Sequence, residues 1–255
     1  MKLFVMSKPM RIWNTCIALL VFASVVTADE KGTTLPGEAS KKVRKKNSAF
    51  AKVVDDPALP RVLIIGDSIS IGYTVAAREG LKGVANVHRV PGNAGHTAMG
   101  ISGLPKWLAE KNGKWDLIHF NWGLWDLCYR NPKSKTQGNR DKVNGSLTHT
   151  PEKYAENLET IVTRLKETGA TLIFATTTPV PEGEAGRKVG DDSVYNQAAI
   201  EVMKRHGVVI NDLHKVIAGK MEKYGKKAGD VHFTDEGSKL LGDAVATAIR
   251  KTIEQ

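Results

Sequence analysis

Short apolar runs alternate with longer helical patterns from about residue 60 onward. The first run, at 62–65, reads Val-Leu-Ile-Ile and is followed by Gly66, which is typical of a buried parallel strand. Four further candidate strands lie at 86–90, 117–122, 171–176 and 208–211. The pattern therefore predicts five strands in one buried, mainly parallel sheet.

Amphipathic helical patterns separate these runs. The clearest lies at 151–168, where apolar residues recur every three or four positions. Thr150 can cap its start, Pro151 suits the first helical position and Gly169 suits the residue after its end. A last helix is predicted at about 236–253. Strands that alternate with helices indicate an α/β fold, a doubly wound three-layer sandwich.

Two connections are too long to be simple turns. They cover 128–150 and 179–193, and both follow predicted strands, so they lie at the carboxyl edge of the sheet where open α/β sheets bind ligands. We interpret them as substrate loops. Their cations, Arg130, Arg140 and Arg187, are candidates to favour an anionic substrate, although surface cations are usually only solvated.

The first 28 residues have the features of a secretory signal peptide. A positively charged start precedes an apolar stretch at 12–26, and small residues before Asp29 suit cleavage. The stretch is shorter than the ~20 residues that a membrane-spanning helix needs. We therefore expect a secreted or periplasmic protein with no stable membrane insertion after cleavage; an uncleaved anchor is the alternative.

Residues 29–59 are predicted to be a basic, disordered linker before a domain at 60–255. Residues 41–46 contain five cations in six positions, which repel one another. The chain has 37 Lys and Arg against 27 Asp and Glu, a net charge of +10, which falls to +7 without residues 1–28. Because the basic run belongs to the linker of an exported protein, we expect no nucleic-acid partner.

Composition narrows the class of protein further. The chain is 41% hydrophobic and 25% charged, an ordinary globular profile. Its cysteines are Cys16 and Cys128, so removal of the signal leaves a single thiol and no internal disulfide. No Cys/His spacing indicates zinc and no Gly-rich phosphate loop is present, so we expect neither metal nor cofactor.

A candidate nucleophile follows the first strand. Ser68 lies in Gly66-Asp67-Ser68, before a helical stretch predicted from about Tyr73, and a helix N-terminus offers N–H donors to developing negative charge. Serine needs a base to take its proton. Of seven histidines, His232 is the best candidate, because Asp230 lies beside it in a loop before the last helix and a carboxylate can fix the imidazole tautomer.

These motifs together resemble the SGNH (GDSL-type) hydrolase superfamily. The segment 93–97, Asn-Ala-Gly-His-Thr, is similar to the second family block, and 115–127 is similar to the third. The resemblance implies a flavodoxin-like, five-stranded sheet and hydrolysis of carboxylic esters through an acyl-serine intermediate, without a metal. It implies catalytic roles for Ser68, Asp230 and His232, and an oxyanion-hole donor at Gly95.

The chain departs from the family pattern at two positions. Trp125 stands where the family has an asparagine oxyanion donor; its indole N–H could serve, or Asn121 could supply the amide instead. The family acid usually lies three residues before the histidine, but Gly229 occupies that position and Asp230 is only two residues before.

The leading hypothesis is a serine esterase that removes short acyl groups from a small-molecule or polysaccharide ester, because no long apolar stretch suggests a lipid tunnel. A catalytically weak or silent carbohydrate-binding protein is an alternative, and it predicts that His232 lies beyond hydrogen-bond reach of Ser68. A thioesterase or lysophospholipase is another, and it requires an apolar groove beside Ser68.

Overall fold

A five-stranded parallel sheet forms the centre of the protein, which is described over residues 48–255 by a computed structural model. The strands within that range are, in chain order, β1 (Arg61–Ile65), β2 (Asn86–Arg89), β3 (Leu117–Phe120), β4 (Tyr129–Arg130), β5 (Ser146–Leu147), β6 (Thr171–Ala175) and β7 (Val209–Asn211). The large sheet has the order β2-β1-β3-β6-β7, and β4 and β5 form a separate antiparallel pair. The five predicted strands and the parallel sheet are confirmed.

Helices cover both faces of the sheet. They are α1 (Ser68–Gly80), α2 (Thr97–Ala109), α3 (Pro151–Lys166), α4 (Asp191–Arg205), α5 (Leu213–Ile217), α6 (Met221–Tyr224) and α7 (Asp235–Ile253). α1 packs against α7, and α3 packs against α2 and α4. Since the β1–α1–β2 connection runs opposite to the later ones, right-handed crossovers place α1 on one face and α2 to α4 on the other. Between residues 48 and 255, no helix is both long and apolar enough to span a bilayer.

Local capping explains where the helices begin. Thr150 accepts a hydrogen bond from the Lys153 N–H at 3.3 Å, with Pro151 in the first turn, as predicted for α3. The prediction that the first helix starts near Tyr73 is wrong, because the Asp67 side chain caps a helix that already begins at Ser68. This earlier start puts the candidate nucleophile in the first turn of α1.

Residues 48–59 lie against the β2 edge of the sheet, although they were assigned to the linker. The Asn86 side chain donates to the carbonyls of Asp56 and Leu59 at 2.8 and 2.9 Å, and Arg61 pairs with Asp55 at 3.0 Å. These residues are therefore part of the folded domain. The predicted signal peptide at 1–28 and residues 29–47 of the predicted linker lie outside the described residues.

The core fills both sides of the central strands. Leu63, Ile64, Ile118 and Phe174 are among its buried side chains, so the sheet is covered on both faces, as the continuous apolar runs predict. His119 in β3 is fully buried, and burial lowers its pKa to about 3, so it stays neutral inside the core. A packed sheet of this kind gives the loops at its carboxyl edge a rigid base.

The two long connections are ordered and joined to each other. Residues 128–150 contain the β4–β5 pair, and the Tyr129 N–H donates to the Gly186 carbonyl at 2.6 Å. The Lys142 N–H donates to the Ala185 carbonyl at 2.9 Å. Backbone hydrogen bonds thus connect the first loop to the second, which provides one wall for a cavity above the sheet.

Candidate active site

The turn after β1 presents Ser68 at the N-terminus of α1. The Asp67 carboxylate accepts the Ile69 N–H at 2.9 Å and is itself buried, and burial raises its pKa. A Cβ at Gly66 would lie 2.9 Å from the Ser70 Cβ, so this tight strand-to-helix turn requires glycine. Asp67 therefore stabilises the turn, and the half-buried Ser68 is the residue that lines the cavity.

Ser68, His232 and Asp230 form a hydrogen-bonded chain. The distance from His232 Nε2 to Ser68 Oγ is 2.9 Å, and the distance from His232 Nδ1 to Asp230 Oδ1 is 2.6 Å. A carboxylate can only accept, so Nδ1 carries the proton and Nε2 is left to accept from the serine hydroxyl. The three residues proposed from the sequence thus come together from opposite ends of the domain, in the arrangement that activates a serine.

The unusual spacing of the acid is compatible with this geometry. Gly229 has a φ of +68°, and a Cβ there would lie 2.8 Å from the Gly183 carbonyl oxygen. Asp230 follows this left-handed turn and also accepts the His232 backbone N–H at 3.1 Å. Partial burial alone would raise the pKa of Asp230, but its hydrogen bonds from His232 outweigh burial and lower it, so the carboxylate is ionised.

The candidate oxyanion donors differ in where they point. Trp125 lines the cavity that contains Ser68, and its Nε1 has no acceptor among the described residues. Asn121 instead donates its side-chain amide to the Ala175 carbonyl at 2.8 Å and does not line that cavity. The Gly95 N–H donates to Asn93 Oδ1 at 2.8 Å, and Asn93 rather than Gly95 lines the cavity.

Two further donors follow from this arrangement. The Ser68 N–H belongs to the first residue of α1 and has no intrahelical acceptor. The Asn93 amide uses its oxygen for Gly95, which leaves its NH₂ group for the cavity. Ser68, Trp125 and Asn93 are therefore the groups that the structure offers to an oxyanion; sequence reasoning missed Asn93 as a site residue, although it lies in the second family block.

Replacing Trp125 with phenylalanine is expected to lower kcat about 100-fold on an acetate ester with little change in KM. A smaller aromatic ring still packs under Arg130, whereas the N–H donor is lost. Steady-state kinetics check this, with Trp107→Phe on α2 as the matched control. An unchanged kcat would show that Trp125 is not a donor, and Asn93→Ala would then be the variant that loses activity.

The cavity beside Ser68 is half-open, with a volume of about 550 Å³. Arg130, Arg140 and Arg187 all line it, so the structure brings the three loop arginines to one site. Glu184, which is fully buried behind them, accepts from Arg140 at 2.7 Å and from Arg187 at 2.8 Å. Its other oxygen accepts the Gly186 N–H at 2.6 Å. One carboxylate therefore holds both loops in place.

Glu184→Gln is expected to lower the free energy of unfolding by about 3 kcal/mol, because the nearly buried Arg187 loses its carboxylate. Urea denaturation measures this change, and limited proteolysis should cut residues 128–150 or 179–193 faster. Glu182→Gln, on the same loop but exposed, is the matched control. Equal midpoints for the two variants would contradict the assigned role of Glu184.

A second Asp–His pair supports the walls of the site. The buried Asp126 accepts from the Thr97 hydroxyl at 2.5 Å and N–H at 3.0 Å, and contacts His149 Nδ1 at 2.7 Å. It thereby ties the segment after Gly95 to the segment after Trp125. His149 lies at the end of a long loop, and no local sequence signal marked it. This pair positions the neighbouring donors and does not line the cavity with Ser68.

Neither a metal cluster nor a reactive thiol competes with the serine as the reactive group within residues 48–255. No group of three or more His, Cys, Asp or Glu there could hold a metal ion. Cys128 is a free, buried cysteine whose Sγ contacts the Tyr129 carbonyl, and burial raises its pKa. Ser68 is therefore the candidate nucleophile of this cavity.

Comparison with known proteins identifies the family and agrees with the fold. Residues 64–240 match the GDSL-like Lipase/Acylhydrolase family, and the chain belongs to that family. None of the curated proteins compared with the chain by sequence matches it. Solved structures of SGNH and GDSL hydrolases share the five-stranded α/β architecture.

Three solved structures illustrate this similarity. The acetyl xylan esterase AlAXEase superposes with a TM-score of 0.59 at 16% identity, over 74% of this chain and 99% of that one. The lipase/acylhydrolase from Enterococcus faecalis has a TM-score of 0.61 at 19% identity, over 76% and 96%. TesA has a TM-score of 0.55 at 18% identity, over 76% and 99%. At these identities the likeness shows the fold.

Proposed function

We propose that this protein is an exported serine esterase that hydrolyses carboxylic esters through an acyl-serine intermediate. The observation that carries the proposal is the hydrogen-bonded chain Ser68–His232–Asp230, with distances of 2.9 and 2.6 Å, at the edge of an open cavity. Family membership supports ester chemistry. The signal-like pattern at 1–28 supports export to the periplasm or the outside of the cell.

Acylation begins when Ser68 Oγ attacks the ester carbonyl carbon and its proton passes to His232 Nε2. The ionised Asp230 stabilises the imidazolium through Nδ1. Negative charge on the carbonyl oxygen is met by the Ser68 N–H and by the side-chain donors of Trp125 and Asn93. When the tetrahedral intermediate collapses, the C–O bond to the alcohol breaks and the leaving oxygen takes the proton from Nε2.

Deacylation repeats these steps with water. His232 Nε2 removes a proton from a water molecule, whose oxygen attacks the acyl carbon, and Ser68 Oγ leaves with the proton returned from Nε2. The carboxylic acid is released and the serine is restored. Every proton in the two half-reactions passes through His232 Nε2, and the oxyanion donors only form hydrogen bonds.

Short acyl groups on a carbohydrate are the proposed substrates. Ten of the eighteen residues that line the cavity are polar or charged, which suits a hydroxylated alcohol portion better than a long hydrocarbon chain. An acetyl xylan esterase is among the proteins that share the fold. The same polar lining argues against the thioesterase or lysophospholipase alternative, which needs an apolar groove.

The silent carbohydrate-binding alternative predicts that His232 lies out of reach of Ser68. Their separation of 2.9 Å contradicts this prediction. Asp230, in spite of its spacing, also contacts the imidazole at 2.6 Å. The departures from the family pattern therefore leave the triad assembled, and an active hydrolase is the better-supported proposal.

The test is hydrolysis of 4-nitrophenyl esters from acetate to decanoate, together with labelling by a phosphonylating probe. We expect the wild type to prefer acetate and to be labelled, and Ser68→Ala to be inactive and unlabelled. Identical behaviour of the two proteins would refute the esterase proposal. Rates that rise with acyl length would favour the lysophospholipase or thioesterase alternative instead.

A further inference from the structure

The catalytic cavity contains four basic side chains from three separate segments. Arg130 and Arg140 come from the first long loop, Arg187 from the second, and Lys227 from the segment before Asp230. All four line the cavity that contains Ser68 and His232. Cations gathered on a partly enclosed wall interact more strongly with an incoming anion than scattered surface cations do.

Two of these cations are already neutralised in part. Arg140 and Arg187 share the buried Glu184 at 2.7 and 2.8 Å, and the Arg187 Nε also donates to the Leu124 carbonyl at 2.6 Å. Their donors are directed at protein acceptors, and they hold the loops together. Arg140 and Arg187 contribute to the positive electrostatic potential in the cavity, but both are already paired with Glu184 when a substrate enters.

Arg130 and Lys227 differ from that pair, because neither has a carboxylate in hydrogen-bond contact within the described chain. Arg130 lies 4.6 Å from the centre of the Trp125 ring, and one of its nitrogens donates to the Gly138 carbonyl. Lys227 is an exposed residue of the cavity wall, and its Nζ makes no hydrogen bond to any residue between 48 and 255. The charge of Lys227 acts on Asp230, which is already hydrogen-bonded to His232.

The carboxylates around the cavity, in contrast, all have partners. Asp67 accepts from the Ile69 N–H, Glu184 from two arginines and Asp230 from His232. In the described part of the chain, a substrate that enters the cavity therefore meets two cations without a carboxylate partner. Each carboxylate that it meets already accepts a hydrogen bond from the protein. This imbalance favours a negatively charged ligand, and a planar carboxylate suits the guanidinium of Arg130.

We propose that Arg130 and Lys227 form a carboxylate subsite in the catalytic cavity, so that the preferred ester is itself an anion. The inference rests on the proposed esterase function. The carboxylate belongs either to the alcohol portion, as in an acylated uronic acid, or to the acyl portion, as in a half-ester of a dicarboxylic acid. Both sources present the same chemistry to the two cations.

Matched substrate pairs test the subsite. The first pair is an acetylated methyl uronoside and its neutral methyl ester; the second is 4-nitrophenyl hemisuccinate and 4-nitrophenyl butyrate. We expect kcat/KM to be about tenfold higher for the anion in the pair that matches the natural source. Added salt should reduce the preference, because the cavity is half-open.

The double variant Arg130→Gln/Lys227→Gln should lose this preference, and Arg164→Gln/Lys204→Gln, with two exposed cations on α3 and α4, should retain it. The ratio within a pair is the informative quantity, because disturbance of Trp125 would slow both members alike. No preference in either pair, or a preference that survives in the double variant, overturns the subsite.

Different results would contradict the proposed subsite and the proposed esterase function. Turnover of 4-nitrophenyl acetate without any preference for anions leaves the esterase function intact and overturns the subsite. If no ester is turned over, calorimetric titration with the acetylated uronoside decides the subsite alone. Binding about tenfold weaker in the double variant supports it, and equal binding overturns it.

Discussion

His232→Gln is expected to lower kcat for an acetate ester by about 10⁶-fold, because no other base lies within hydrogen-bond reach of Ser68 Oγ among the described residues. Glutamine has nearly the same reach but cannot accept a proton at neutral pH. Since the serine and its base act as one unit, adding Ser68→Ala to this variant should cost almost nothing more. Single-turnover kinetics with a chromogenic acetate measure both effects.

The matched control for that variant is His206→Gln. His206 also pairs with a carboxylate, Glu159, but it lies at the C-terminal end of α4 and does not line the cavity. The kcat of the His206→Gln variant should stay within a factor of about two of the wild-type value, since ion pairs near the surface contribute little to stability. A His232→Gln enzyme that keeps more than a hundredth of wild-type kcat would refute the assigned base.

Asp230→Asn is expected to lower kcat by about 10⁴-fold while leaving KM nearly unchanged. An asparagine can donate to Nδ1, which favours the tautomer with its proton on Nε2, and that tautomer cannot accept from Ser68. It also removes the negative charge that stabilises the imidazolium. Because the pKa of Asp230 is lowered, the wild-type carboxylate is ionised at neutral pH, where the comparison is made.

Two further variants show whether position 230 itself matters. Asp235→Asn, on an exposed acid in the first turn of α7, should leave kcat unchanged. Gly229→Asp added to Asp230→Asn places an acid three residues before the histidine, at the usual family spacing. We expect no rescue, because position 229 has a φ of +68° and a side chain there would meet the Gly183 carbonyl. Restored activity would contradict the assignment of Asp230.

The elements that sequence reasoning predicted well are those whose signals are local. β1 and β6 are mostly apolar runs, and α3 has its cap, its first-turn proline and its left-handed Gly169 within the segment itself. The start of α1 was predicted five residues too late. The run of β-branched and small residues at 69–72 hid a helix that the Asp67 cap stabilises.

The prediction that residues 48–59 belong to the linker is wrong for a different reason. Their sequence is polar and carries no periodicity, so a linker is the natural interpretation. They fold onto the sheet edge through Asn86 and Arg61, which lie well outside the segment. A contact of this kind is invisible to a local pattern, because its stabilising partners are distant in sequence.

The site residues also fall into two groups, those that the motifs predict and those that only the fold decides. The order of the motifs was sufficient to propose Ser68, Asp230 and His232, since a serine after the first strand and an acid–histidine pair before the last helix converge at one sheet edge. It could not choose between Asn121 and Trp125. That choice depends on the fold, which holds the Asn121 amide against the Ala175 carbonyl of a neighbouring strand and places Trp125 in the cavity wall.

The amino-acid sequence by itself determined the five strands, the three-layer order and the candidate nucleophile and base, because strand patterns, caps and turn residues act locally. Only the tertiary structure decided that Asp230 reaches His232, that Asn93 replaces Gly95 at the cavity wall, and that Glu184 neutralises two of the three loop arginines. Each of these is a hydrogen bond between groups whose separation depends on how loops turn. Such distances follow from the packing of the whole domain, so they become visible only when it is folded.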